Sequence, residues 1–421
     1  MSTPRFVLVL ALFVAGCSGS SGDGLPIPEQ PMEVPGIENP SAIDFYNHGE
    51  ELLERRPGAA AEAFYWASRR DPTWASPLFA RRLALFLGDH LLYAGYLSRD
   101  RRVMRRPVVA QLDSLYLRAL TLNPFLDRRL ESRAIMTYWK ESVRRAYRRA
   151  YPMQNLSDAQ LAILLQQALW DAGDPLKARL AHSEGRYADA VTYYRNAIEK
   201  ASQPAELHAD MARALFMLGR HEEAVDHMGH AIAELRERDE DELQRLYSSK
   251  ALYFQTVGLI HEQRDDTAAA RRAYADALQE DLAYYPAHIR LAELAADAGD
   301  TLTALNELHL AAEIGPDEPV VLLSYGRLLE ATDDVAGAEA AYRHLVQVEP
   351  YFAAGFARLA HVLDVQDRPV DAATAYRDFV RLAPRDAGEL TDARRRLEQL
   401  VRSVPELREA ADSAGVPGGG P

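Results

Sequence analysis

The 421-residue chain has a single cysteine, so neither a disulfide framework nor a cysteine-built zinc site can form within it. No apolar run approaches the roughly 18 residues that a spanning helix needs. Positive charge is not in excess: 48 Lys and Arg stand against 62 Asp and Glu, a formal −14, which excludes the chain as a whole as a nucleic-acid binder. Glycine and proline, 24 and 23 residues, are too few for a low-complexity disordered chain. The motifs of common enzymes are missing as well. There is no glycine-rich phosphate loop, no Gly-x-Ser-x-Gly and no His-Glu-x-x-His. The sequence therefore reads as a non-enzyme with no cofactor.

What is there begins at the N-terminus. Arg5 and the free amine precede ten apolar residues, Phe6 to Ala15, the length of a signal-peptide core and too short to cross a bilayer. The stretch ends Val14-Ala15-Gly16-Cys17, which resembles the bacterial lipoprotein lipobox. That resemblance implies a lipid on the Cys17 thiol and removal of residues 1–16. The alternative is an ordinary secretory signal with an incidental cysteine, but the one cysteine sits at the position a lipobox requires. Ser18, where an Asp would retain such a protein in the inner membrane, implies the outer membrane, facing the periplasm. Residues 17–40 are rich in Gly and Ser, then in Pro, and read as a flexible tether that holds the body off the membrane.

The body is periodic. Four blocks of 34 residues run without a gap: 251–284, 285–318, 319–352 and 353–386. Position 8 is Gly258, Ala292, Gly326 and Ala360. Position 20 is alanine in all four, and position 24 is Tyr274, Leu308, Tyr342 and Tyr376. Position 32 is proline in the last three. Small residues at 8 and 20 let two helices approach, a large one at 24 fills the space beside them, and proline ends the second helix. These positions resemble the tetratricopeptide repeat. The resemblance implies an all-α, right-handed α-solenoid of helix hairpins, each burying its apolar face on the next.

The frame extends backwards to 205–238 and 171–204, giving six blocks, with 239–250 inserted as a helical extension. Residues 41–170 form a degenerate N-terminal region. In it, 44–72 and 74–124 keep parts of the pattern, and 74–124 is interrupted around Gly88 to Pro107. Residues 125–170 are helical without a frame and mark a soft boundary between two arms. Residues 387–412 resemble the polar capping helix of such arrays, and 413–421 read as a flexible tail.

Within this frame His227 and His230, with His221, Glu223 and Asp226 nearby, share a helix face and form the best metal candidate. The alternative is a polar outer face of the second helix, and no metal is expected. His208 and His288 fall at position 4, where packing at a helix interface is the expectation. Charge is uneven. Residues 41–150 hold 19 Arg and one Lys against 12 acids, a net of +8. The most conspicuous segment is Arg99, Arg101, Arg102, Arg105 and Arg106. It reads either as a basic contact loop for an anionic surface or partner, or as solvated helix faces.

In the tetratricopeptide family, positions 2, 5, 9, 12 and 13 line a concave groove that takes up peptides or partner helices. Carried over, they give Arg213, Phe216 and Met217; Gln255, Leu259, Glu262 and Gln263; Ile289, Glu293 and Asp297; Leu323, Arg327 and Glu330; and His361 and Asp364. The resulting expectation is a lipid-anchored scaffold that binds protein partners in the cell envelope, in an assembly or export complex. It would bind no nucleic acid. The competing readings are a metal- or ligand-binding helical protein and a solenoid that polymerises end to end.

Overall fold

A computed structural model describes residues 25–97, 100–241, 249–384, 387–405 and 407–408. Among them are 21 α-helices and a single isolated β-bridge, Val34 to Ile37. A first hairpin pairs α1 (Ala42–Leu52) with α2 (Pro57–Arg70). Then come α3 (Ala75–Gly88), α4 (His90–Leu97), α5 (Arg101–Met104) and α6 (Pro107–Leu122). The framed blocks are preceded by α7 (Arg129–Ala150) and α8 (Asp158–Asp171). Six hairpins follow: α9 (Asp174–Ser183) with α10 (Tyr187–Ile198), α11 (Ala205–Met217) with α12 (His221–Asp241), and α13 (Ala251–Glu262) with α14 (Thr267–Glu280). The last three are α15 (Tyr285–Asp297) with α16 (Thr301–Ile314), α17 (Pro319–Ala331) with α18 (Val335–Val348), and α19 (Ala353–Val365) with α20 (Pro369–Leu382). α21 (Leu390–Ser403) packs on the end.

Local chemistry repeats with the period. Position 15 of every block takes a left-handed backbone: Gly185, Gly219, Asp265, Gly299, Asp333 and Asp367, with φ between 54° and 76°. In three blocks the next residue, Asp266, Asp300 or Asp334, caps the second helix by accepting from a backbone N–H three residues on. Tyr274 and Tyr342 are fully buried against the bare backbones of Gly258 and Gly326. Phe64 meets Gly49 in the same way, so the first hairpin is a cryptic copy of the repeat. Core clusters run from hairpin to hairpin along the array, as a stacked solenoid requires.

The two ends of the array meet. Asn39, Arg69 and Arg70 reach the carbonyl ends of α18 and α20: Arg69 donates to Val348 O at 3.2 Å, Arg70 to Leu382 O at 3.1 Å, and Asn39 Nδ2 to Ala383 O at 2.8 Å. These carbonyls have no partner within their own helices, and the negative end of the helix dipole favours a guanidinium there. Arg69 also pairs with Glu349 at 3.0 Å, and Arg118 with Glu318 at 3.0 Å. The ring of Trp66 packs edge-on to Tyr351. Gln255 donates to Thr121 O at the end of α6. The N-terminal arm thus lies along the C-terminal repeats rather than standing apart from them.

Two sequence expectations change. Residues 25–40, read as the second half of a free tether, are bound to the body. Leu25 N donates to Gln111 Oε1 at 2.8 Å, Pro26 O accepts from the buried Arg81 at 2.6 Å, and Val34 is buried. Proline-rich backbone has few donors of its own and leaves carbonyls free for such guanidinium groups. The insertion in 74–124 is not a loop: α4 and α5 fold onto a cluster with Phe86, Leu112 and Tyr138. In block 171–204 the first helix starts at Asp174, after Gly173 at φ 79°. The extension after 238 is helical to Asp241. Residues 1–24 with Cys17, 242–248, and 409–421 with the tail lie outside the described residues.

Candidate functional site: the cleft where the arms meet

The fifteen groove residues do not form one open surface. Met217, Gln263, Glu293, Asp297, Arg327 and His361 are exposed. Phe216, Leu259, Glu262, Glu330 and Asp364 are half-buried. Arg213, Gln255, Ile289 and Leu323 are buried. Gln255 is covered by the end of α6 and accepts from Tyr284. Ile289 and Leu323 are packed into clusters between neighbouring hairpins.

The acids at position 12 also have structural work. Glu262 accepts from Tyr274, at position 24 of its own block, and from Arg290, at position 6 of the next. Glu330 accepts from Tyr342 at 2.9 Å and lies 3.9 Å from Arg358, also at position 6. Asp364 accepts from Arg396 of α21 at 2.7 Å. The block at 285–318 has Ala296, Leu308 and Ser324 at these three places and so has no such link. The sequence carried this signal as a three-way correspondence between positions 12, 24 and 6, which a groove carry-over overlooks.

A concavity of about 1010 Å³ opens where the arms converge. One wall comes from residues 73–76 and 120–133, the other from 182–187 with Arg213 and Met217. Phe125 stacks on Phe216 at 3.7 Å and fixes the junction. Behind the wall lies a buried ion network. Arg128 donates to Glu131 at 2.7 Å and to Asp210 at 3.0 Å; Arg213 also reaches Asp210 at 3.0 Å, and Arg179 closes on Glu131. Burial opposes ionisation of both carboxylates, but the arginines prevail. Arg128 and Arg179 hold Glu131 down to about 2, and Arg128 and Arg213 do the same for Asp210.

His182 borders the cleft. Burial, reinforced by Arg128, lowers it to about 4, so it is neutral at physiological pH. His182 Nδ1 and Arg213 Nε have no hydrogen-bond partner among the described residues. The cleft therefore offers an apolar rim (Phe125, Tyr187, Met217), Arg129 and Arg133 in solvent-exposed pairs with Asp127 and Glu54 that a ligand carboxylate could replace, and buried polar atoms still to be satisfied. A smaller hollow of about 560 Å³ holds His361 and Asp364 against α21.

His208, His227 and His230 come together, with His208 Nδ1 2.8 Å from His227 Nδ1 and Glu234 at 3.7 Å from His208 Nε2. His288 holds the corresponding contact to Glu307 at 2.7 Å. The position 4 to position 23 contact is thus a recurrent hairpin feature. Among the described residues no group of three or more His, Cys, Asp or Glu is arranged to hold a metal ion, and no helix is long and apolar enough to cross a membrane. Of the basic loop, Arg101, Arg102, Arg105 and Arg106 are exposed; Arg99 lies outside the described residues.

No curated protein matches the chain. Solved structures align with it at low identity. The C-terminal part of a TPR repeat-containing protein from Cytophaga hutchinsonii is 13% identical, covering 55% of this chain and 97% of that one, with a TM-score of 0.40. Yeast Tom70 is 13% identical over 88% of this chain and 92% of its own, TM-score 0.40. Pseudomonas aeruginosa pilF is 18% identical over 53% and 96%, TM-score 0.40. These likenesses are too distant to carry function. A family model described as the tetratricopeptide repeat matches residues 181–249. That segment contains the hairpin of α11 and α12, and its 34-residue register continues through α20. By that match and that register, the chain carries tetratricopeptide repeats.

Proposed function

We propose that the protein is a membrane-attached scaffold of the bacterial cell envelope that holds a partner protein in the cleft between its two arms. The fold is that of a protein-interaction scaffold. The observation that carries the rest is the cleft itself: an apolar rim beside accessible Arg129 and Arg133, built by both arms at once. Its occupant is an extended segment with an apolar side chain for Met217 and Phe125 and a carboxylate for the arginines. The chemistry is burial and ion pairing, with no bond broken. Attachment through a lipid on Cys17 places this binding at the envelope, and an outer-membrane assembly or export complex is the setting that suits it.

The test is site-specific photocrosslinking in the host. A photoreactive residue at Met217 or Glu184, both exposed on the cleft wall, is compared with one at the exposed Leu302 on α16. The same envelope protein captured from both cleft positions and not from Leu302, and lost with Met217→Glu, supports the reading. Capture that is equal from all three sites, or absent from the cleft, sinks it.

A further inference from the structure

The positive charge of the N-terminal arm is not spent evenly. Arg69, Arg70, Arg81, Arg82, Arg118 and Arg128 are engaged within the molecule. The arginines of α5 and its flank are not. Arg101, Arg102 and Arg105 are exposed without an acidic partner among the described residues, and Arg106 has only the partly exposed Asp89 at 4.0 Å. Met104 sits exposed among them.

A second basic row adjoins the first. Asp89 leads directly into His90, whose ring stacks on Tyr138 of α7 and whose Nε2 lies 3.0 Å from Ser142. From there α7 continues through the exposed Arg144, Arg145, Arg148 and Arg149, with Glu141 the one acid paired to the row. Exposed Tyr151 and Met153 follow. Arginines mixed with exposed apolar side chains match an interface of anionic headgroups over acyl chain, which rewards both.

The path of the chain points to the same face. Leu25 is fixed to Gln111 and packs into the insertion cluster. Gln111 is five residues beyond Arg106, about 8 Å along a helix. Cys17 is eight residues before Leu25, a span of at most about 27 Å. The part of the body held nearest to whatever anchors the N-terminus is therefore the arginine face.

We propose that the face formed by α5 and the C-terminal half of α7 docks on an anionic lipid surface, laying the N-terminal arm on the membrane and turning the cleft to a fixed height above it. This rests on the membrane attachment proposed above, and the two fail separately. The probe is the full chain added to vesicles of neutral phosphatidylcholine, or of phosphatidylcholine with about 30% phosphatidylglycerol. The N-terminal apolar run contributes to both vesicles and cancels in the ratio of partition coefficients.

The expected anionic-to-neutral ratio is at least about tenfold in low salt and falls as salt screens the charges. The combined change Arg101→Gln, Arg102→Gln, Arg105→Gln and Arg106→Gln should lower it at least about threefold, and Arg144→Gln, Arg145→Gln, Arg148→Gln and Arg149→Gln added to it should bring it close to unity, with circular dichroism and melting temperature unchanged. Cys17→Ser should leave the ratio intact while removing acyl labelling in cells; loss of neither label nor membrane association in that variant would sink the anchor alone. A ratio that the four changes do not move overturns the docking face. So does a face whose changes abolish a crosslink to an acidic protein while vesicle binding stays.

Discussion

Glu349 offers the sharpest test of the closed arrangement. It caps the C-terminus of α18, is almost fully buried, and touches Arg69 of the N-terminal arm at 3.0 Å. One carboxylate oxygen, Oε2, has no hydrogen-bond partner among the described residues. Burial raises its pKa from 4.5 to about 7; Arg69 and the more distant Arg118 pull the other way, and Glu318 adds to the rise. A folded-state pKa above the unfolded one means the folded protein prefers the protonated acid. The stabilisation is complete below pH 4.5 and is lost as pH rises through about 7. Above that, holding the ionised carboxylate in place costs about 3 kcal/mol, at about 1.4 kcal/mol per pH unit.

Glu349→Gln mimics the protonated acid and keeps an acceptor for Arg69. At pH 8 it should protect the amides around 345–352 and 66–71 from hydrogen exchange by about 1–3 kcal/mol more than the parent. At pH 4.5 the two should coincide. Exchange read by mass spectrometry at pH 8, 6.5 and 4.5 makes the comparison, each rate corrected for its intrinsic pH dependence. A variant that exchanges faster at pH 8, or a gap that does not narrow with acid, would show that pairing with Arg69 outweighs the burial of Glu349, and the raised pKa would be wrong.

Other consequences are more local. Gly326→Ala would place a Cβ 2.5 Å from the Tyr342 ring and should destabilise the fifth framed hairpin by about 1–3 kcal/mol, read by urea unfolding. Gly58→Ala, where nothing lies within 4 Å, should stabilise α2 slightly instead. Asp265→Gly, Asp333→Gly and Asp367→Gly relieve a left-handed backbone and should each raise stability by about 0.5–1 kcal/mol. A fall in melting temperature for all three would refute the turn geometry. His208 is lowered to about 4 by burial, then by His227 and His230, so its stabilising neutrality is present above pH 6.5 and lost as pH falls through 4. Melting curves should show about 1–2 kcal/mol less stability at pH 4 than at pH 7 from this cluster, and His227→Gln should reduce that loss.

The repeats were legible because their physics is local and recurs. A bare backbone at position 8, an aromatic ring at 24, a left-handed residue at 15 and proline at 32 each solve one steric problem per hairpin. Gly258 with Tyr274 and Gly326 with Tyr342 could be read directly off a 34-residue register. The first hairpin was half-legible: Ala60, Phe64 and Ala67 kept the pattern, but a deletion hid Gly49 as its position 8. The insertion was misread because α4 is a short apolar helix and α5 a single turn, so the arginines that follow dominated the reading while Leu92, Tyr93 and Val103 supplied the fold.

The cleft lay beyond any single-block reading because its parts are far apart in sequence and their partnerships depend on closure. Arg128 finds Asp210, Arg69 finds Glu349 and Phe125 finds Phe216, and no periodicity links these pairs. Closure also decides what each groove position can do. At 255 the end of α6 turns a carried-over binding residue into an internal hydrogen bond, whereas at 217 the same register leaves Met217 at the mouth of the cleft. Ile289 and Leu323 would stay packed between hairpins in a solenoid with free ends, but Gln255 would not be covered by α6. Here the N-terminal arm covers Gln255 and supplies Arg129, Arg133 and Phe125 to the cleft, so under the proposed function partner specificity resides in the pairing of the arms rather than in the repeat.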